Sequence, residues 1–258
     1  MELIDTHAHL TYDGLADRID DVLARSIQAG VVGWIAVGTA QDENNKVIDL
    51  ASRYEALWAA VGFHPHSADN VSRADMDRLA KQLQHEKAVA VGETGLDYYY
   101  MHSAAENQKR IFRAHLAIAA VLQKPVVVHT REAFDDTIEI LDEFADRIKK
   151  VVIHCYGGDA EQTKQILKRG YYVSFTGTIT FKRNDTLRQI IKDLVPLDRV
   201  MIETDCPFIS PEPMRSVRPN EPALLIHTAQ CLADLYNLPL TDFANQTTKN
   251  SRLFFGLY

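Results

Sequence analysis

The chain has 258 residues, 46% of them hydrophobic and 24% charged, the balance of a chain that buries a large core. Its formal net charge of −7 argues against a module that grips duplex DNA through many phosphate contacts. No apolar run approaches the ~20 residues that cross a membrane, and the first residues lack a basic segment followed by an apolar one, so a cytoplasmic protein is expected.

Eight short apolar, β-branched segments read as strands, at 3–9, 31–37, 57–64, 88–93, 125–129, 151–154, 171–175 and 200–205. Runs such as Val126-Val127-Val128 and Val151-Val152-Ile153 are continuous rather than alternating, the pattern of parallel strands covered on both faces. Helical periodicity fills the gaps. The stretch 15–29 puts Ile19, Val22, Leu23 and Ile27 on one face and stops at Gly30, a residue suited to a helix end. Further helices are expected at 44–54, 73–84, 104–122, 133–148, 160–168 and 186–194, then two more at 221–236 and 241–254. Asp159 and Asp185 fall at N-cap positions, and Gly170 at a helix end.

Eight alternations of strand and helix predict a single-domain (β/α)8 TIM barrel over 1–258, of α/β class, with an extra C-terminal helix. An open doubly wound sheet would carry a phosphate-binding glycine fingerprint after its first strand, and none is present. The loop 207–219 holds four prolines and is long for a barrel loop, which marks it as a substrate-side element.

In such a barrel the active site lies at the carboxyl ends of the strands. Strand one ends in His7-Ala8-His9, two imidazoles on one side of a strand. Strand three runs into His64-Pro65-His66, and strand four into Gly92-Glu93-Thr94-Gly95-Leu96-Asp97. Strands five and six end at His129 and His154, and strand eight at Glu203-Thr204-Asp205. Taken singly, each of these residues has a structural explanation, as a satisfied core histidine or a capping carboxylate. Six of eight strands delivering a His, Glu or Asp to one rim point instead to metal binding, with four histidines and two acidic groups as donors. The donors are nitrogen and oxygen only, which suits Mg²⁺, Mn²⁺ or Zn²⁺ without choosing among them. Six donors exceed the roughly three that one open catalytic ion needs, so two divalent cations bridged by a carboxylate fit better. The three cysteines, Cys155, Cys206 and Cys231, form no CxxC and are expected as small buried hydrophobes.

With these residues in place the sequence resembles the TatD family of metal-dependent hydrolases and nucleases. The shared motifs are Asp5-Thr6-His7-Ala8-His9, Gly62-Phe63-His64-Pro65-His66, Gly92-Glu93-Thr94-Gly95-Leu96-Asp97, Val128-His129-Thr130-Arg131, His154-Cys155-Tyr156, Glu203-Thr204-Asp205-Cys206-Pro207-Phe208 and Asn220-Glu221-Pro222. The resemblance implies one metal on His7, His9, Glu93 and Asp205, and a second on Glu93, His129 and His154. It implies hydrolysis of phosphodiester bonds in DNA, of exonuclease type, with single strands or strand ends as substrate. Asp205, Glu93 and His64 are the catalytic candidates: Asp205 for the proton of the attacking water, His64 for substrate contact or leaving-group protonation, with His66 behind it. Arg131 and Arg218 are candidate phosphate contacts, alongside Lys182, Arg183 and Arg215. Tyr98, Tyr99 and Tyr100 are candidates for base stacking or for core packing. A monomer is expected. Two other readings stay open: a metal-dependent amidohydrolase, esterase or small-molecule phosphoesterase on the same barrel, and a non-catalytic binding protein with structural metals.

Overall fold

The computed structural model describes residues 1–257. The elements run β1 (Leu3–Ala8), α1 (Ile19–Gln28), β2 (Val31–Gly38), α2 (Gln41–Arg53), β3 (Leu57–Val61), α3 (Arg73–Gln82), β4 (Ala88–Asp97), α4 (Ala105–Leu122), β5 (Val126–Arg131), α5 (Phe134–Asp142), β6 (Val151–Ile153), α6 (Ala160–Lys168), β7 (Tyr172–Phe175), α7 (Asp185–Leu194), β8 (Val200–Ile202), α8 (Leu225–Leu235) and α9 (Leu240–Phe255). The sheet order is β1 through β8 in sequence. This is the (β/α)8 class expected from the sequence, with α9 as the extra C-terminal helix.

The chain's contacts fall into two compact units. The first comprises Met1–Ala36 and Cys155–Tyr258. In it β1 pairs parallel with β2, β7 pairs parallel with β8, and β1 lies against β8. Leu3, Ile35, Val173, Phe175, Val200, Phe243 and Phe254 are buried between sheet and helices. Helix α9 also satisfies backbone groups that the short strands leave over. Asn250 Nδ2 donates to the carbonyls of Leu197 and Val200 at 2.8 Å each, and Thr248 Oγ1 donates to the Glu2 carbonyl at 2.7 Å. Buried carbonyls need such partners.

The second unit is Val37–His154. Here β3 pairs with β4, β4 with β5, and β5 with β6, all parallel. The valine runs of β5 and β6 are buried, as continuous apolar strands require. Two glycines let β4 and β5 approach closely. A Cβ on Gly95 would stand 1.9 Å from the His129 carbonyl oxygen, and one on Gly92 2.5 Å from that of Val127; both have positive φ. Glu93 lies between them.

Several expectations are corrected. Ile27 is 56% exposed, because Ser26 occupies the inward position in the last turn of α1 and its hydroxyl donates to the Leu23 carbonyl. Asp185 is the first helical residue of α7 rather than its cap, and its carboxylate pairs with Arg188. Asp159 does cap α6, in a reciprocal capping box with Gln162. Helix α5 ends at Asp142, after which the backbone turns through i to i−3 bonds such as Phe144 N–H to the Leu141 carbonyl. Cys206 is buried, but Cys155 and Cys231 are only half-buried.

Candidate metal centre

The first unit gathers His7, His9 and Asp205. His7 is the penultimate residue of β1, and Asp205 lies three residues past β8. The chain ends are stitched together by the backbone: Asp205 N–H donates to the His7 carbonyl at 2.9 Å, and His9 N–H to the Cys206 carbonyl at 2.8 Å. Asp205 sits at φ +52°, a left-handed conformation that Asp tolerates better than most residues. The buried Asp5 carboxyl fastens the same corner. It accepts from the backbone N–H groups of His7 (3.3 Å) and Thr204 (3.0 Å) and from the Thr204 hydroxyl (2.5 Å). Burial pushes the Asp5 carboxyl up to about 7, although the hydrogen bonds from Thr204 and His7 pull the other way.

Three donor atoms converge as a result. His7 Nε2 and His9 Nε2 are 3.3 Å apart, and Asp205 Oδ1 lies 3.3 Å from His9 Nε2 and 3.7 Å from His7 Nε2. Two imidazole nitrogens and a carboxylate oxygen at these separations could hold a divalent metal ion.

The second unit builds a cluster around Glu93. Its Oε1 lies 2.8 Å from His154 Nε2, 3.0 Å from His129 Nδ1 and 3.4 Å from His64 Nε2. His129 Nδ1 and His154 Nε2 are 3.2 Å apart. Burial opposes the charge on Glu93, but His154 and His64 outweigh it and hold the carboxyl well below the usual carboxylate range. His129 has its other nitrogen, Nε2, 3.0 Å from Asp97 Oδ2. An ionised carboxylate only accepts, so His129 donates from Nε2 to Asp97, which leaves Nδ1 as the nitrogen that would face a cation held by Glu93 and His154. This is the carboxylate–histidine arrangement that orients metal ligands. Burial opposes the charge on Asp97, but hydrogen bonds from His129, from Tyr100 N–H and from His66 keep it ionised.

His64 belongs to the same cluster by distance, its donor lying within 4.8 Å of those of Glu93 and His129. Its ring chemistry differs, however. His64 Nδ1 accepts from His66 N–H at 3.1 Å, so in the neutral ring Nε2 carries the proton. A protonated Nε2 facing Glu93 is a donor, not a metal ligand.

Helix α4 positions this unit's site residues from behind. Gln108 Oε1 accepts from Asp97 N–H at 2.7 Å, and its Nε2 donates to the Asp97 and Ser103 carbonyls. Two turns on, His115 Nε2 accepts from Phe63 N–H at 3.0 Å while Nδ1 donates to the Ile111 carbonyl at 2.8 Å. One helix face thus holds the residue before His64 and the residue that orients His129.

The profile of the TatD-related DNase family matches residues 4–256. The chain belongs to the TatD family. Among TatD relatives, the protein named uncharacterized metal-dependent hydrolase YabD of Bacillus subtilis is 34% identical over 255 residues, covering 99% of each chain. The protein named 3'-5' ssDNA/RNA exonuclease TatD of Salmonella typhimurium is 33% identical over 256 residues, covering 98% of each. The crystal structure of YjjV, a TatD homologue from Escherichia coli K12, superposes with a TM-score of 0.93 at 28% identity, over 99% of this chain and 98% of that one. The expectation of a TatD-family metal-dependent hydrolase therefore stands. Among the described residues, no helix is long and apolar enough to cross a membrane.

The six ligand candidates fall into two groups, His7, His9 and Asp205 in one unit, and Glu93, His129 and His154 in the other. Arg131 lies over the rings of Tyr99 and Tyr100. Arg218 donates to the Ser210 hydroxyl and the Val217 carbonyl and pins its own loop. Arg215 covers the Phe181 ring. The sequence reading named Asp97 only as part of a motif and overlooked Gln108 and His115. For Asp97 a signal existed: a carboxylate at the end of a strand, paired with a strand that carries His129-Thr130-Arg131.

Proposed function

We propose that this chain is a nuclease that hydrolyses phosphodiester bonds of single-stranded DNA or of strand ends, using two divalent cations. His7, His9 and Asp205 would hold one cation and His129 and His154 the other, with Glu93 as the bridging carboxylate. The reading rests above all on the relative named 3'-5' ssDNA/RNA exonuclease, whose likeness runs the length of both chains. It is supported by the two convergent nitrogen and oxygen donor sets. A monomer acting in the cytoplasm completes the reading.

Bound there, Mg²⁺, Mn²⁺ or Zn²⁺ supplies Lewis acidity, which lowers the pKa of a water and neutralises phosphate oxygens. The chain's own residues do the rest. Asp205 accepts the proton of the attacking water at its carboxylate. His64 presents its Nε2 proton to the leaving oxygen, and His66 N–H keeps that tautomer in place. Asp97 keeps the His129 lone pair aimed at the cluster. Asp5, clamped by Thr204, holds the corner from which His7 and Asp205 project.

The test offers single-stranded oligonucleotides, duplex ends, p-nitrophenyl phosphodiesters and simple amides side by side, with each of the three metals. Expected is cleavage of oligonucleotides, lost in chelator before the helical circular dichroism is lost. Turnover of amides with oligonucleotides untouched would replace the nuclease reading with that of an amidohydrolase.

A further inference from the structure

At the end of β4 and β5 lies a cluster that the metal chemistry does not use. Tyr99 and Tyr100 are 52% and 50% exposed, with ring centroids 4.8 Å apart and planes at 88°. Arg131 fills the notch between them, its Cζ 3.9 Å from the Tyr99 centroid and 4.7 Å from that of Tyr100. Among the described residues, this guanidinium makes no hydrogen bond and no ion pair. A cation held on two ring faces with its donors unused is preorganised for an anion. Tyr98 takes no part, since its hydroxyl donates to Asp136 at 2.6 Å.

The cluster is tied by hydrogen bonds and ring contacts to the candidate metal ligands. Strand register sets Arg131 opposite Asp97 and His129 opposite Gly95. Arg131 therefore stands two residues past His129 on the same side of β5, about 6.6 Å further along the strand. Tyr98 N–H donates to the Arg131 carbonyl at 2.9 Å, and Tyr100 N–H to Asp97 Oδ1 at 2.8 Å. The Tyr100 ring stacks on His102 at 5.5 Å and meets His66 edge-on at 5.4 Å. His66 in turn shares Asp97 Oδ2 with His129.

We propose that Arg131, Tyr99 and Tyr100 form a subsite for the nucleotide next to the one being cut: the guanidinium takes a phosphate, and an exposed tyrosine face takes an unpaired base. The proposal rests on the nuclease reading above. The offset along β5 is of the order of one nucleotide unit. A planar cation beside two exposed rings matches a ligand that alternates phosphate and aromatic base. A base paired in a duplex has no free face for the ring, so the subsite selects single strands.

Kinetics on short oligonucleotides test this with Tyr99→Leu/Tyr100→Leu and Arg131→Gln, beside a substrate with one abasic residue next to the cut. Expected for the tyrosine variant is a KM raised roughly tenfold to a hundredfold, with kcat within about twofold and metal content unchanged. The abasic substrate should cost the wild type the same factor and the variant almost nothing. Arg131→Gln should lower the salt dependence of binding by about one phosphate contact. Equal KM values in wild type and variants, or wild-type indifference to the abasic residue, overturn the subsite while leaving the nuclease reading intact. Wild type that cleaves no oligonucleotide overturns that reading instead. In that event, fluorescence anisotropy of a labelled oligonucleotide decides the subsite alone: binding weakened by both variants supports it, and binding equal to wild type removes it.

Discussion

Asp97 Oδ2 stands 3.0 Å from His129 Nε2, and this bond decides which nitrogen of His129 faces Glu93. A second-layer carboxylate of this kind typically changes metal affinity by 10- to 100-fold. Asp97→Ala should therefore weaken metal binding by roughly that factor, with the circular dichroism spectrum unchanged. Asp97→Asn keeps an acceptor and should recover part of the loss. Titration calorimetry with Mn²⁺ or Zn²⁺ reads both. Wild-type affinity in Asp97→Ala would show that His129 needs no such support.

Gly95 is the point where β4 touches β5 most closely. An added Cβ would meet the His129 carbonyl at 1.9 Å, and φ is +142°. Neither the backbone nor the register can yield without moving His129. Gly95→Ala should cost more than about 3 kcal/mol, measured by urea unfolding, because strain and overpacking add. A variant of unchanged midpoint would mean that the two strands separate freely there.

The class of fold and the residues of the two donor clusters were legible because they rest on local patterns. Val126-Val127-Val128 and Val151-Val152-Ile153 are short β-branched runs, the pattern of buried parallel strands, and a His, Glu or Asp closing such a run is visible by eye. Helix ends were less legible. Helical spacing allows either Ser26 or Ile27 to continue the face of Ile19, Val22 and Leu23, and the fold buries Ser26. The supporting residues were hidden for a different reason. Gln108 and His115 look like ordinary residues of a long helix until α4 is packed against the ends of β3 and β4. Arg131 showed its charge in the sequence, but not the two rings that hold it.

His115 is buried between two backbone groups, accepting at Nε2 and donating at Nδ1. Burial lowers its pKa to about 4, from the ~6.5 of an exposed histidine. Between those values the unfolded chain binds a proton that the folded chain does not, so stability rises with pH across this window. Above about 6.5 the benefit is complete; as pH falls toward 4 it is lost, up to roughly 3 kcal/mol. Across the same window the Asp5 carboxyl, raised to about 7, contributes the opposite slope, so the signature of His115 is a difference between two chains. His115→Gln keeps an acceptor but does not titrate, and between pH 4 and 7 its thermal stability should rise less with pH, or fall more, than that of wild type. Parallel profiles would remove His115 as the cause.

His64 separates two roles that distance alone confuses. Its Nε2 lies 3.4 Å from Glu93 Oε1, close enough for a shared metal, yet the bond from His66 N–H to Nδ1 leaves the proton on Nε2. In the proposed mechanism a donor at that position serves the leaving oxygen, and general acid catalysis is worth roughly 10² to 10⁴ in rate. His64→Gln should lose about that much on an oligonucleotide, whose leaving alkoxide needs a proton. It should lose far less on a p-nitrophenyl phosphodiester, whose leaving phenolate does not. Metal content by atomic absorption should match wild type. A drop in bound metal, with both substrates slowed equally, would make His64 a ligand and hand proton transfer to another group.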